Sequence, residues 1–212
     1  MEDKYKNILE FWRNNLYLPN SLTREETMRF WLLEAKPYKI RPETVKKYQK
    51  KNNIQVLIET GTYKGAMIEA VLNNFNKIVS IELDKDLYNE AKIKFSSQSH
   101  VNIVHGDSSL VLGDMLKSIN VPCVFWLDGH YVPDSIDTAR GDRDTPILDE
   151  LDQILKHHVR HHVILIDDAR CFIGPNPILN DYPTIQELKK FVKSRRPELS
   201  FQVADDIIRI LP

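Results

Sequence analysis

The sequence is poor in cysteine, in long apolar runs and in any excess of charge of one sign. Two cysteines among 212 residues are too few for a disulfide framework, so a reducing cytoplasm is the expected compartment. Lys and Arg total 29 and Asp and Glu total 30, so no overall basic field attracts nucleic acid. No apolar stretch approaches the roughly 18 residues that a membrane span needs, and the charged N-terminus opens no secretory signal. We therefore expect a soluble cytoplasmic protein without a nucleic-acid partner or a membrane span.

What the chain has is enough apolar material for one substantial core. Hydrophobic residues make up 42% of it and charged residues 28%, which predicts a single α/β domain. Residues 1–53 combine charge with aromatic residues at helical spacing and predict an N-terminal helical extension. Residues 54–212 form the predicted main domain. The sequence leaves open whether this extension forms a lid or a dimer contact, and it therefore allows a homo-oligomer.

From residue 54 onward, short apolar segments alternate with amphipathic ones. Continuous apolar strands joined by helices predict a doubly wound, mostly parallel seven-stranded sheet with helices on both faces. Asp205-Asp206 separates the last two strands as in a hairpin, which makes one edge antiparallel. The predicted strands are 54–58, 77–81, 101–105, 123–127, 162–166, 201–204 and 207–211, and the predicted helices are 43–51, 66–73, 87–96, 109–117, 146–158 and 182–194. Ligands of such sheets bind at the carboxyl ends of the strands.

The most informative segment is the βαβ unit in residues 55–84. A turn containing Gly61 and Gly65 follows the first strand, and the second strand ends at Glu82, 23 positions after Glu59. Glycines let the backbone approach a ligand closely, a helix N-terminus offers free N–H groups, and the second acid can bind a ribose diol. The pattern predicts a cofactor that contains a nucleoside. A nicotinamide fingerprint needs a third glycine that is missing here, which disfavours an oxidoreductase.

This turn resembles the first motif of class I S-adenosylmethionine-dependent methyltransferases, in which an acid and then G-x-x-x-G follow the first strand. A second acid ends the second strand of that family, and an aspartate follows the third. The resemblance covers roughly residues 54–212 and implies a Rossmann-like methyltransferase fold with S-adenosylmethionine as cofactor. By the family pattern, Glu82 holds the ribose hydroxyls, Asp107 and Ser108 lie near the adenine, and Glu59 and Gly61 face the methionine end. The implied cofactor-binding residues are Glu59, Thr60, Gly61, Gly65, Glu82, Asp107, Ser108 and Asp128.

Three further acids follow two neighbouring predicted strands. Asp128 ends the fourth strand, and Asp167 and Asp168 end the fifth, so their side chains are expected to converge. Clustered carboxylates repel one another unless a cation lies nearby. Hard carboxylate oxygens suit Mg²⁺, Mn²⁺ or Ca²⁺, and Mg²⁺ is the first expectation. Arg170 is the alternative cation if no metal binds.

The acidic pattern resembles the metal-dependent sugar O-methyltransferases of the macrocin and novobiocin tailoring type. That resemblance implies Asp128, Asp167 and Asp168 as metal ligands and a hydroxyl of a sugar or glycan-like small molecule as the methyl acceptor. This chain has His130 where an acid commonly follows Asp128-Gly129 in that family, so Asp128 or His130 is the expected catalytic base. A cofactor-binding module without catalytic activity, whose acids are only structural, is the main alternative.

Four histidines between positions 157 and 162 invite a metal-site interpretation, because His158 and His162 are four residues apart. They stand where a helix leads into the fifth strand, and no glutamate occupies the zinc-protease position. Positive charge is favourable at a helix C-terminus. The segment is therefore predicted to be a charged helix end and not a metal site.

Overall fold

The computed structural model describes residues 39–131, 139, 141–172, 174 and 181–212. Its strands are β1 (Val56–Thr60), β2 (Lys77–Glu82), β3 (Val101–His105), β4 (Val124–Leu127), β5 (Val163–Ile166), β6 (Ser200–Ala204) and β7 (Ile207–Leu211). They form one seven-stranded sheet in the order β3-β2-β1-β4-β5-β7-β6. The predicted doubly wound sheet is confirmed.

Helices cover the sheet, and short 3₁₀ turns lie at 72–74 and 169–171. The α-helices are α1 (Ile40–Asn52), α2 (Ala66–Val71), α3 (Lys85–Lys94), α4 (Ser108–Leu116), α5 (Ile147–Lys156) and α6 (Ile185–Arg195). Most of the predicted extension, residues 1–38, lies outside the described residues, and α1 is its described part. Pro42 lies in the first turn of α1, where the backbone needs no N–H donor. No helix in the described residues is long and apolar enough to cross a membrane.

The sheet separates two apolar cores. Strands β1, β2, β4 and β5 are parallel and almost entirely buried, as expected of strands covered on both faces. Successive side chains of a strand point to opposite faces. Ile58 and Phe125 accordingly pack with α4, α5 and α6, whereas Leu57 and Trp126 pack with α1, α2 and α3.

The switch point of the sheet lies between β1 and β4, because the chain moves from β1 to β2 on one side and returns to β4 on the other. Thr60 of β1 is paired with Leu127, and Leu127 is paired with Ile166 of β5. The ladder continues for one residue, since Asp128 N–H donates to the Thr60 carbonyl and Asp167 N–H to the Leu127 carbonyl, both at 3.0 Å. Asp128 and Asp167 therefore leave the sheet side by side.

The predicted hairpin is confirmed and is tied to the end of β5. Asp205 and Asp206 have φ angles of 53° and 63°, the left-handed pair that a two-residue type I′ turn requires. Ala169 N–H donates to the Asp206 carbonyl, and Arg170 N–H donates to Asp206 Oδ1, each at 2.9 Å. The turn thus brings Asp206 to the loop that carries Asp167 and Asp168.

Two buried histidines form a hydrogen-bonded chain at the opposite end of the sheet. His162 Nδ1 accepts from Cys123 N–H at 3.0 Å, so its Nε2 carries the proton and donates to His157 Nδ1 at 3.0 Å. His157 Nε2 then donates to the Leu116 carbonyl at 3.0 Å. Burial lowers the pKa of His162 to about 4 and also lowers the pKa of His157. The expected positive charge is therefore absent from these two rings at neutral pH.

Candidate functional site

A cavity of about 560 Å³ opens at the carboxyl ends of β1 to β4. Its volume lies in the range of small-molecule sites, roughly 300–1,000 Å³. Five of the eight residues predicted to bind the cofactor line it, namely Gly61, Glu82, Asp107, Ser108 and Asp128. Apolar residues from the same strand ends and helices complete much of its wall, among them Ile81, Leu83, Leu87 and Leu110.

The glycine turn passes very close to the loop after β4. Gly61 has a φ of +83°, and a β-carbon added there would lie 2.4 Å from the Asp128 carbonyl oxygen. Its N–H donates to the Ile81 carbonyl at 2.9 Å. Gly65 is the N-cap of α2 with a φ of 73°, and its added β-carbon would meet the Phe95 ring at 2.6 Å. Both positions need glycine for conformation and for space, although only Gly61 lines the cavity.

Glu82 is held in a fixed orientation at the end of β2. Its Oε2 accepts from Tyr63 N–H at 2.7 Å, and its Oε1 accepts from Asp84 N–H at 2.9 Å. Burial raises the pKa of Glu82, and the backbone hydrogen bonds oppose this effect. A carboxylate has about four lone-pair sites, so these hydrogen bonds leave acceptor capacity for ligand hydroxyls. The arrangement suits recognition of a diol.

Asp107 both caps a helix and faces the cavity. Its Oδ1 accepts from Ser109 N–H at 2.8 Å and from Ser109 Oγ at 2.6 Å, which fixes the start of α4. Its Oδ2 lies 3.4 Å from the position of a β-carbon added at Gly141. The structural role of Asp107 as a helix cap is therefore real, and the carboxylate is also oriented toward the site.

Glu59 and Thr60 lie behind the cavity wall. Glu59 is 2% exposed and accepts a hydrogen bond from Ser80 Oγ. Burial raises the pKa of Glu59 to about 8, so it is mostly protonated at neutral pH and contributes little charge. The side chain of Thr60 is fully buried under Gly129, 3.2 Å from a β-carbon added at that glycine. Direct cofactor contacts of these two residues stay predictions.

His130 bridges two aspartates beside the cavity. Its Nδ1 lies 3.3 Å from Asp128 Oδ1, and its Nε2 lies 3.2 Å from Asp168 Oδ2. Burial lowers the pKa of His130, but the hydrogen bond and charge of Asp168 and the charge of Asp128 raise it to about 9. His130 is therefore an imidazolium at neutral pH. Burial raises the pKa of Asp128 to about 7, so Asp128 is the better proton acceptor of the two.

Two arginines supply positive charge to the same cluster. Arg41 of α1 pairs through Nε with Asp167 Oδ2 and through Nη2 with Asp168 Oδ1 at 2.8 Å. Arg170 Nη1 lies 2.6 Å from Asp168 Oδ1 and also pairs with Asp206. Burial opposes ionisation of Asp168, but His130 and the two arginines hold its pKa below the ordinary value. Arg170 was expected as an alternative cation, whereas Arg41 and Asp206 were not predicted as site residues.

The ligand atoms that come together differ from the predicted metal set. Oxygens of Asp128 and Asp168 and a ring nitrogen of His130 lie within 4.8 Å of one another. Asp167 points elsewhere, since its Oδ1 accepts from Asp168 N–H at 2.8 Å and its Oδ2 pairs with Arg41. The role of Asp167 as a ligand stays a prediction. The mixed set fits a divalent ion if His130 is deprotonated, and one nitrogen among oxygens suits Mn²⁺ better than Mg²⁺ or Ca²⁺.

Glu150 is a buried acid that the sequence analysis missed. It is 1% exposed, and its Oε1 has no hydrogen-bond partner among the described residues. This oxygen lies 3.5 Å from a β-carbon added at Gly129, and burial raises the pKa of Glu150 to about 7. A signal was present, because position 150 interrupts the apolar face formed by Ile147, Leu151 and Ile154.

Solved structures share this fold over nearly the whole chain. An O-methyltransferase from Bacillus cereus, solved in complex with SAH, covers 100% of both chains with a TM-score of 0.57 and 14% identity. An SAH-bound methyltransferase from Podospora anserina covers 99% of this chain and 95% of its own, with a TM-score of 0.55 and 16% identity. The fold is that of the class I S-adenosylmethionine-dependent methyltransferases, as the sequence predicted.

Two curated relatives share part of the sequence. Ribosomal RNA small subunit methyltransferase A of Prochlorococcus marinus (strain MIT 9301) is 33% identical over 105 residues, which is 48% of this chain and 36% of the relative. The protein of the same name from Mycoplasma capricolum is 38% identical over 56 residues, 26% of this chain and 21% of the relative. The chain thus spans well under half the length of the curated relatives it matches. No protein-family model matches the chain.

Proposed function

We propose that the protein transfers a methyl group from S-adenosylmethionine to a hydroxyl oxygen of a sugar or glycan-like small molecule. The observation that carries the proposal is the position of Asp128. Asp128 lines the 560 Å³ cavity at the switch point, and its side chain contacts His130 in the acidic cluster. The methyl donor and the group that activates the acceptor would therefore meet at one residue.

The cavity has the features that the methyl donor requires. Gly61 lets the turn after β1 pass close to the loop after β4, which shapes the cavity wall. The hydrogen-bonded carboxylate of Glu82 suits the ribose hydroxyls. Ile81, Leu83, Leu87 and Leu110 offer apolar surface to a purine ring. A sulfonium with an ammonium tail also favours a wall that includes the carboxyl of Asp128.

The transfer itself is an in-line displacement. The acceptor oxygen forms a bond to the methyl carbon, the carbon–sulfur bond breaks, and the electron pair stays on sulfur as S-adenosylhomocysteine forms. Asp128 takes the hydroxyl proton, because its pKa of about 7 lies near the operating pH. His130 holds Asp128 on one side and Asp168 on the other. Alignment of oxygen, carbon and sulfur supplies much of the rate.

A divalent cation fits the same cluster. Asp128, His130 and Asp168 would hold it, with His130 as a neutral ligand. Such an ion would lower the pKa of an acceptor hydroxyl bound to it. Dialysis against EDTA followed by Mn²⁺ or Mg²⁺ addition tests this part, and activity that survives the chelator without loss would remove the metal from the proposal.

The experiment that tests the function is a mass-spectrometric screen of candidate glycans and polyols with isotopically labelled S-adenosylmethionine. We expect label on a hydroxyl oxygen of at least one acceptor with the wild-type protein and none with Asp128→Asn. Release of S-adenosylhomocysteine in the same tubes reports turnover independently of which acceptor reacts. If the Asp128→Asn protein labels the same acceptor as fast as the wild type does, the role assigned to Asp128 is wrong.

An RNA acceptor is the second candidate, and the observation behind it is the segment shared with small-subunit rRNA methyltransferases. The nearly neutral balance of 29 basic and 30 acidic residues gives less support for binding a nucleic-acid backbone. Incubation of total RNA with the same labelled cofactor, followed by nucleoside analysis, distinguishes the two acceptor classes.

A module that binds the cofactor without catalysis remains the other alternative. The ion pairs of Asp167 and Asp168 with Arg41 and Arg170 favour it, because they give these acids structural roles. Asp168→Asn separates the two possibilities: the enzyme should lose turnover while it keeps the cofactor, whereas a module has no turnover to lose. Mixing with NADH and following its fluorescence tests the less favoured oxidoreductase in the same preparation.

A further inference from the structure

Arg41 is a buried arginine that comes from outside the predicted methyltransferase domain of residues 54–212. It belongs to the first turn of α1 and is 8% exposed. Its guanidinium reaches across the end of the sheet to two acids that lie 126 and 127 positions away in the chain. A cation at this depth requires partners of opposite charge, and Asp167 and Asp168 provide them. The contact therefore links α1 directly to the candidate site.

The contacts of Arg41 continue as a chain of ion pairs. Arg41 Nη2 binds Asp168 Oδ1 at 2.8 Å, and Asp168 Oδ2 lies 3.2 Å from His130 Nε2. His130 Nδ1 in turn lies 3.3 Å from Oδ1 of Asp128, a residue that lines the candidate cavity. Each oxygen of Asp168 thus has a separate task, one toward the arginines and one toward the imidazole.

We propose that Arg41 is a positioning residue of this site, which acts through Asp168 to hold His130 against Asp128. Its importance for methyl transfer rests on the function proposed above. Asp168 has a left-handed backbone with φ 54° and ψ 48°, an uncommon conformation for a residue with a side chain. The fork of Arg41 fixes this residue by binding Asp167 and Asp168 at once.

Arginine suits this task better than lysine does. Its guanidinium is planar and presents donors in a rigid fork that two carboxylates can share, whereas the lysine ammonium is a point charge on a flexible stem. Arg170 also binds Asp168 Oδ1 and pairs with Asp206 of the hairpin. Among the ion pairs of the described residues, those of Arg41 join Asp167 to Asp168.

The test reads the His130 ring directly and does not require an identified acceptor. NMR spectra of protein labelled with ¹⁵N-histidine contain the ring signals of His130. These signals are assigned as the ones that disappear in His130→Gln. Arg41→Met removes the fork, Arg41→Lys keeps only the charge, and two variants serve as controls. Arg195→Met breaks an arginine–aspartate pair of 2.8 Å with Asp152 elsewhere on the surface, and Ile119→Ala weakens the core after α4, at the opposite end of the sheet.

We expect the His130 signals to shift and broaden in Arg41→Met, to change partly in Arg41→Lys, and to match the wild type in both controls. Affinity for S-adenosylhomocysteine should be unchanged in all of them. If an acceptor is known, kcat of Arg41→Met should fall by about 100-fold with KM for the cofactor retained, the scale expected when a reacting group is misplaced by about 1 Å.

Wild-type His130 signals in folded Arg41→Met would overturn the proposal. Should Arg41→Met fail to fold, the same spectra of Arg41→Lys decide, because lysine cannot hold both carboxylates in the same geometry, and unchanged signals there overturn it equally. A further outcome is that the His130 signals shift in Arg41→Met while the wild-type protein methylates no acceptor in the screen above. That combination would count against the proposed function and leave the positioning role of Arg41 intact.

Discussion

Of the glycines in the described residues, Gly61 has the least room for a side chain. A β-carbon there would lie 2.4 Å from the Asp128 carbonyl oxygen, and the φ of +83° is unfavourable for any other residue. We predict that Gly61→Ala displaces the loop after β4 and abolishes binding of S-adenosylhomocysteine in calorimetry while the protein stays folded by circular dichroism.

Gly113→Ala is the matched control for that substitution. Gly113 lies inside α4, where an added β-carbon would meet only the end of the Gln153 side chain, at 2.6 Å. That flexible end can move, and alanine favours the helix by about 1 kcal/mol over glycine. Cofactor binding should therefore persist in Gly113→Ala, and wild-type affinity in Gly61→Ala would show that the turn does not shape the site.

Asp128 sets the expected pH dependence of turnover. Burial raises its pKa to about 7, and only the deprotonated carboxylate can take a proton from the acceptor. The rate should therefore rise as pH increases through about 7 and level off above it. Asp128→Asn should lower kcat by at least about 100-fold, the scale of a lost general base.

Initial rates of wild type and Asp128→Asn across this pH range provide the measurement. A wild-type rate that is flat with pH, or an asparagine variant that retains the same rising profile, would assign the proton to another group. Glu150 is the next candidate for the general base. It lies close to Gly129 beside Asp128, and burial raises its pKa to about 7 as well.

Single residues show where sequence reasoning succeeds and where it cannot. Glu82, Asp107 and Asp128 were predicted to share one site because they stand at the ends of apolar strands, and the carboxyl ends of parallel strands meet at one edge. They line one cavity, and their contacts with a cofactor stay a prediction. Arg41 could not be found in this way, because 126 residues separate it from Asp167 and only the folded chain brings them together. The protonated state of His130 likewise depends on the two carboxylates that flank it.

At the scale of elements, the connection between α5 and β5 makes the stability depend on pH. An unfolded histidine titrates near 6.5, but burial lowers the pKa of His162 to about 4. Between these values the unfolded chain binds more protons than the folded one, so the free energy of unfolding should rise with pH across this window. Acidification from about pH 6.5 to about pH 5 should therefore destabilise the fold by roughly 2 kcal/mol through this residue.

His162→Asn isolates this contribution. The Asn Oδ1 can replace Nδ1 as the acceptor for Cys123 N–H, but the amide does not titrate in this range. Urea unfolding near pH 5 and near pH 7.5 should show a smaller pH difference in the variant than in the wild type. The exposed His105 serves as the control, since His105→Asn should keep the wild-type difference. Equal pH differences in His162→Asn and the wild type would contradict the account.

Element boundaries were harder to predict than the elements themselves. The first strand was predicted to end at 58, but the ladder runs on through Glu59 and Thr60. A buried acid is tolerated there because Ser80 donates a hydrogen bond to it. The last helix was predicted from 182 and begins at Ile185, where Thr184 forms a capping box with Glu187. The T-x-x-E signature was visible in the sequence and marks the true start.

At the scale of the whole molecule, the proposed site for the methyl donor and the acidic cluster lie on two sides of the switch point of the sheet. The proposed donor side consists of the glycine turn after β1, Glu82 at the end of β2 and Asp107 after β3. The ends of β4 and β5 carry the acidic cluster that His130 and the arginines hold together. Composition and periodicity predicted this sheet, because alternating strands and helices permit few other arrangements. They did not predict that α1 and the final hairpin also contribute charges to the cluster.

The most direct measurement of the central claim is calorimetric titration of the wild-type protein with S-adenosylhomocysteine, beside Glu82→Ala. The account predicts saturable binding at one site per chain and a clear loss of affinity when the carboxylate of Glu82 is removed. Absence of binding by the folded wild-type protein at millimolar ligand, or undiminished affinity in Glu82→Ala, would contradict it.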